Sequence, residues 1–165
     1  MRVLLLSRPP NNVIVQLLTD NRLCVDLIDC NQYDEIESNI QKYLQYCNPD
    51  ILLTYRCPYI LPKEIFDSPV YGSYNIHPSL LPAYKGANPW SGVIKNRECH
   101  TGVTIHKITS NIDGGEIILQ QSFEIDWFKP IDILRSQSDA IAANLVKKLI
   151  DHFENNSNEK KCQFF

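Results

Sequence analysis

No stretch of this 165-residue chain approaches the ~18 consecutive apolar residues of a membrane span. Met1-Arg2-Val3-Leu4-Leu5-Leu6 looks superficially like a leader, but its apolar run is short and stops at Ser7-Arg8-Pro9-Pro10 without a small-residue cleavage site. Membrane insertion and export are therefore both unexpected, and a cytoplasmic location is the default. Basic residues number 16 against 19 acidic ones, a net charge of −3, and they never gather into the cluster that tracks a phosphate backbone. Nucleic acid is accordingly a disfavoured partner. None of the six cysteines forms a Cys-x-x-Cys pair, and no histidine stands at zinc-like spacing from two of them, so no metal is expected. Four of the six lie in apolar, strand- or helix-like stretches and are expected to be buried free thiols in a reducing compartment. Nothing near Cys57 marks it as a nucleophile. Gly-x-Gly-x-x-Gly is also missing, which argues against a generic nucleotide-binding protein.

What is present describes one ordinary globular domain. Apolar residues make up 44% and charged residues 21% of the chain, and a chain of this length buries roughly two thirds of its unfolded surface. Val3 to Leu6, Leu23 to Ile28, Ile51 to Tyr55 and Tyr71 to His77 read as strands, the first and third as continuous buried runs suited to a parallel sheet. A short helix is expected near Val13 to Leu18. A longer one is expected over Asp34 to Cys47, where Ile36, Ile40, Tyr43, Leu44 and Cys47 share a face and Asn48-Pro49 ends the run. The alternation predicts an α/β fold with a mostly parallel sheet flanked by helices. After Gly102 the pattern changes to longer strands, Val103 to Ile108 and Glu116 to Ile125, separated by a turn at Asp113-Gly114-Gly115. Pro130 opens a last helix with Leu134, Ser138, Ile141, Leu145 and Leu149 on its core face. The domain is expected over 1–153, with a polar, frayed tail over 154–165. The exposed faces of the later strands leave room for a homodimer.

Chemistry concentrates at the end of the fourth strand. In Asn75-Ile76-His77-Pro78, strand alternation turns Asn75 and His77 to one side and Ile76 to the other, and Pro78 ends the pairing. An amide and an imidazole side by side can both donate to an oxygen that gains negative charge. Taken alone, the pair better fits a turn cap and an ordinary satisfied histidine, and it gains meaning only from what surrounds it. Ser79 to Gly86 is a loop fixed by two prolines and a glycine. Asp113 precedes two glycines that let the chain turn tightly behind its carboxylate. His106, on the face of Thr104, is placed to orient that carboxylate or to be a half-buried strand histidine.

Taken together, Asn75-Ile76-His77-Pro78-Ser79-Leu80-Leu81-Pro82, Gly86-Ala87-Asn88-Pro89, Gly102-Val103-Thr104-Ile105-His106 and Asp113-Gly114-Gly115 closely resemble the formyltransferases that use 10-formyltetrahydrofolate. That family includes glycinamide ribonucleotide transformylase, methionyl-tRNA formyltransferase and the sugar-nucleotide N-formyltransferases. The resemblance runs from about Asn48 to about Ile125. It implies a single Rossmann-like domain and a catalytic triad of Asn75, His77 and Asp113, behind which the strand reading places Thr104 and His106 as supporting residues. It further implies a folate site formed by Pro58, Tyr59, Ile60 and Leu61 together with Ser79, Leu80, Leu81 and Pro82, with 10-formyltetrahydrofolate as formyl donor and no metal.

The acceptor is a separate question. Pro9 and Pro10 remove backbone donors from the first loop, where glycinamide ribonucleotide transformylases hold a phosphate, which disfavours that acceptor. With the chain ending soon after its last helix, the C-terminal domain of methionyl-tRNA formyltransferases is not expected here. A small primary amine is expected instead, an amino-sugar nucleotide by preference. A methionyl-tRNA formyltransferase-like enzyme, a formyltetrahydrofolate deformylase-like enzyme and a non-catalytic folate-binding or regulatory module are the alternatives.

Overall fold

The computed structural model describes residues 1–8, 12–20, 23–31 and 35–162. Strands β1 (Arg2–Ser7), β2 (Cys24–Asp29), β3 (Ile51–Tyr55), β4 (Ser73–His77), β5 (His100–Lys107) and β6 (Ile117–Glu124) form one sheet in the order β2-β1-β3-β4-β5-β6. The first four run parallel, whereas β5 pairs antiparallel with both β4 and β6. This is the α/β, mostly parallel architecture that the strand and helix alternation predicts.

Apolar patterning explains the layers. In β1, Val3 and Leu5 enter one core while Leu4 and Leu6 enter the other, and all four are fully buried. A strand covered on both faces needs such a continuous apolar run. The first core takes α1 (Asn12–Asp20) through Ile14 and Leu18, α4 (Pro89–Lys95) through Trp90 and Val93, and the long α5 (Ile131–Cys162). The second takes α2 (Ile36–Tyr46) through Ile36 and Ile40, and the short α3 (Lys63–Phe66) through Ile65 and Phe66. On α5, Leu134, Ser138, Ile141, Leu145 and Leu149 all face inward as their spacing predicts. The helix continues as far as Cys162, so the segment after Phe153 is helical over most of the span expected to be a tail. Among the described residues no helix is long and apolar enough to cross a membrane.

Two details differ from expectation. Helices α3 and α4 have only 4 and 7 residues, too short for a periodic signal to show in the sequence. Cys24, Cys30, Cys47, Cys57 and Cys99 are free thiols, but Cys24 and Cys99 are exposed rather than buried. Each stands just outside or at the first residue of its strand, where apolar neighbours in sequence do not guarantee cover.

Candidate active site

One row of side chains crosses three strands. The register aligns Thr54 of β3 with Asn75 of β4, and Asn75 with His106 of β5. The Thr54 hydroxyl donates to Asn75 Oδ1 at 2.8 Å, which fixes the amide so that its NH2 group faces the other way. Asn75 Nδ2 then lies 3.1 Å from His106 Nε2 and donates to Asp113 Oδ1 at 3.2 Å. A further step along the same face, His77 pairs in register with Thr104. The strand end thus delivers Asn75 and His77 to one side while Ile76 is fully buried in the core behind them.

Asp113 closes the cluster. Its Oδ2 accepts the Gly86 N–H at 2.7 Å and lies 3.5 Å from His77 Nδ1, while its Oδ1 lies 3.3 Å from His106 Nε2. The residue has φ +46, a left-handed conformation that aspartate tolerates better than most side chains, and Gly86 at φ +100 brings its amide to the carboxylate. Behind it, Gly115 passes so close to β5 that an added Cβ would lie 1.8 Å from the Lys107 carbonyl oxygen. The two loops therefore meet at Asp113.

The electrostatics follow from this crowding. His77 is 4% exposed, and burial pushes its imidazole below the ordinary value although the Tyr84 carbonyl and the Asp113 carboxylate both favour the charged ring. Its Nε2 sits 2.9 Å from the Tyr84 carbonyl oxygen, which can only accept, so the neutral ring carries its proton on Nε2. Burial also favours the neutral acid at Asp113, but His106, the Gly86 N–H and His77 together outweigh it and hold the carboxyl below its ordinary range. The resting state is therefore a carboxylate facing a neutral imidazole.

Both depressed values work in one direction. An unfolded chain binds protons at these two groups that the folded chain refuses, so stability is present at neutral pH and is lost on acidification. For His77 the loss begins near pH 6.5 and proceeds as pH falls through its lower folded value; for Asp113 it begins near 3.8. The urea midpoint is expected to fall between pH 7.5 and 5.5, with a shallower fall in His77→Gln. An equal slope in that variant would show that His77 is not a source of it.

A cavity of about 670 Å³ opens in front of this cluster, beyond the carboxyl ends of β1, β3 and β4. Ligands of open α/β sheets bind in such a crevice, and the volume suits a small organic molecule. Pro58, Tyr59, Ile60 and Leu61 line it with Asn75, His77, His106 and Asp113. Ser79, Leu80, Leu81 and Pro82 are placed elsewhere, behind the strand end rather than on the cavity wall. Thr104 Oγ1 donates to the Ser79 carbonyl at 2.6 Å and accepts from the Leu81 N–H and from Gln120 Nε2, so Thr104 pins that loop to the sheet. Leu80 packs so tightly over Gly102 that a Cβ there would lie 2.5 Å from Leu80 Cδ2. Apolar side chains in a rigid loop serve packing here, which residue type alone does not distinguish from ligand contact.

The cavity also holds residues that sequence reasoning missed. Thr54 is the one polar residue of the otherwise apolar and aromatic strand β3, and that interruption was the available signal. Arg8, Arg56 and Arg135 converge on the wall from the end of β1, the end of β3 and α5, with no spacing in the sequence that would join them. Arg56, at φ +53, is held to Asp139 of α5 at 2.7 Å, and the neighbouring Tyr55 hydroxyl donates to the same carboxylate. Trp90 lines the cavity as well, and its buried indole N–H has no acceptor among the described residues. The first loop, Pro9 to Asn11, lies outside the described residues.

The formyl transferase family model matches residues 2–146. A methionyl-tRNA formyltransferase of Thermotoga neapolitana is 34% identical over 132 residues, which is 80% of this chain and 41% of the relative. The chain thus spans about two fifths of the length of the curated relatives it matches first. Among solved structures, glycinamide ribonucleotide transformylase 1 of Symbiobacterium toebii aligns over 94% of this chain and 88% of its own, with a TM-score of 0.74 at 17% identity. A sugar N-formyltransferase of Shewanella aligns over 91% and 68%, with a TM-score of 0.69 at 20% identity. At those identities the structures share the fold.

Proposed function

The chain belongs to the formyl transferase family, and from that premise we propose that it moves a formyl group from 10-formyltetrahydrofolate to a primary amine, with Asn75, His77 and Asp113 as its catalytic residues. The observation that carries this reading is the orientation of the Asn75 amide. With its oxygen taken by Thr54, its NH2 group is presented beside His77 and Asp113 at the cavity.

The donor is a substrate that supplies a formyl group on a ring-bound nitrogen. Fit is supported by the cavity volume, the apolar Pro58–Leu61 wall and the unpartnered Trp90 N–H. As the neutral acceptor amine adds to the formyl carbon, the formyl oxygen gains negative charge. Asn75 Nδ2 donates to it in place of its present contact with Asp113 Oδ1. His77 does the same as an imidazolium, turning its ring from the Tyr84 carbonyl, and the Asp113 carboxylate favours that charge against burial. Asp113 takes the proton shed by the attacking nitrogen, directly or through water, with His106 holding the carboxylate in place. When the bond to the donor nitrogen breaks, a proton returns to that nitrogen and both products are neutral at the exchanged atoms.

For the acceptor we favour an amino-sugar nucleotide. Among the described residues three arginines line the cavity, and although Asp139 engages Arg56, Arg8 and Arg135 leave positive charge there for an amine that carries phosphate. A second reading, transfer to methionyl-tRNA, is favoured by the names of the relatives in sequence. The test is release of tetrahydrofolate from 10-formyltetrahydrofolate with water alone, a panel of amino-sugar nucleotides, and methionyl-tRNA. Release dependent on one amine establishes the acceptor. Release without any amine replaces transfer by hydrolysis, and no release under any condition removes the enzymatic reading. His77→Ala is expected to lower kcat by ~10²–10³, the usual effect of losing one oxyanion donor; a variant as active as wild type would remove His77 from the mechanism.

A further inference from the structure

Two thiols meet at the rim of the cavity. Cys30 follows β2 and Cys57 stands two residues beyond β3, and these strands flank β1 in the sheet. The Cys30 N–H donates to the Ser7 carbonyl at 3.0 Å, which sets the thiol pair over the end of β1. The two Sγ atoms are 3.1 Å apart, with the Cys30 S–H donating to Cys57. Cys57 is half-buried and lines the cavity beside Pro58, whereas Cys30 is 1% exposed beneath it.

We propose that Cys30 and Cys57 close into a reversible disulfide when a hydroperoxide reaches Cys57 through the cavity, and that closure switches the site off. Geometry separates the roles: the accessible thiol on the wall reacts first, and the buried one in contact with it resolves the product. The Cys30 S–H outweighs burial and, with the Arg8 cation, holds the Cys57 thiol below its ordinary value. Hydrogen bonding to Cys57 and burial push Cys30 up, so the proton stays there.

With hydrogen peroxide as oxidant, the Cys57 sulfur attacks one peroxide oxygen, the O–O bond breaks, and one water leaves as Cys57 becomes a sulfenic acid. The Cys30 sulfur then attacks the Cys57 sulfur, an S–S bond forms, and the second water leaves with the Cys30 proton. Two electrons pass from the thiols to one peroxide. Bonding distance is about 1 Å nearer than the present contact, so closure draws on the chain that continues into the Pro58–Leu61 wall. A displacement of that size in a reacting site costs ~10²-fold in rate. The loss of turnover rests on the function proposed above; the disulfide does not. Sensing rather than structural disulfides are what a reducing compartment tolerates.

The experiment exposes the wild-type chain to stoichiometric hydrogen peroxide, maps its peptides by mass, and follows tetrahydrofolate release. The expected result is a Cys30–Cys57 cross-linked peptide, lighter by two hydrogens than the sum of its parts. Turnover falls ~10²-fold and returns with dithiothreitol. Cys30→Ala and Cys30→Ser, untreated, turn over as wild type and form no such peptide. Oxidation of the exposed Cys24 and Cys99 without the cross-link would overturn the proposal, and so would a cross-linked protein with undiminished turnover. The mass map needs no substrate, so a chain that transfers no formyl group still decides the thiol chemistry.

Discussion

Asp113→Ala is expected to lower kcat/KM by ~10³-fold or more while the fold survives, because one carboxylate serves the Asn75 amide, the Gly86 N–H and two histidines. It accepts the Gly86 N–H, and it faces both His77 and His106. On the mechanism proposed above, the attacking amine then has no base beside it. His77 also loses the nearby charge that opposes burial, so its imidazole moves still further below the ordinary value and the cationic donor becomes scarcer. Asp113→Asn separates these effects from packing, since its amide oxygen can still accept from Gly86 while the charge is gone. It should match the alanine variant in rate while losing less Tm than that variant does. Titration of the His77 ring by NMR reads the downward move directly. A rate within tenfold of wild type in Asp113→Asn would remove Asp113 as the base.

Gly115→Ala is the second large effect, and it acts through the backbone. The new methyl would sit 1.8 Å from the Lys107 carbonyl oxygen, and Lys107 is tied at that point by its own N–H to the Glu116 carbonyl. Backbone cannot step aside as a flexible side chain can, so the turn between β5 and β6 must open. Overpacking of this kind costs ~1–3 kcal/mol, which for a chain of this size lowers Tm by roughly 2–9 °C. The same opening carries Asp113 away from His77, and a shift of ~1 Å there costs ~10²-fold in turnover. Gly114→Ala is the comparison, because its methyl would come no closer than 2.9 Å, to Asn111 Cβ, with the nearest backbone oxygen at 3.4 Å. It should be the milder variant in both measurements; equal damage from the two would show that contact with Lys107 is not the cause.

The buried parallel strands were legible because burial on both faces writes itself as unbroken apolar runs, as in Val3–Leu6 and Ile51–Leu53, whereas their order in the sheet was not. The inward face of α5 was legible for the corresponding helical reason. Asn75, His77, His106 and Asp113 do converge at the cavity, as strand alternation and the Asp-Gly-Gly turn suggested. Other parts of the site are invisible to such patterns. The Tyr84 carbonyl and the Gly86 N–H act through backbone atoms, which every residue type possesses. The three arginines come from positions 8, 56 and 135 and share nothing but a place in the fold. Ser79 to Pro82 carried a different lesson, since this loop rich in proline and leucine is held to Gly102 and Thr104, contacts that its residue types did not announce. Likewise, exposed Cys24 and Cys99 show that local hydrophobicity reports neighbours in sequence rather than cover in space.

Asp139 on α5 takes both the Tyr55 hydroxyl and the Arg56 guanidinium, 84 and 83 positions upstream. A chain growing on the ribosome therefore completes all six strands before the residue that fastens the cavity rim has been synthesised. The sheet can assemble early, but substrate would find a rim still untied at β3 until the last helix docks. Competence to bind is in this sense a report that synthesis has passed α5.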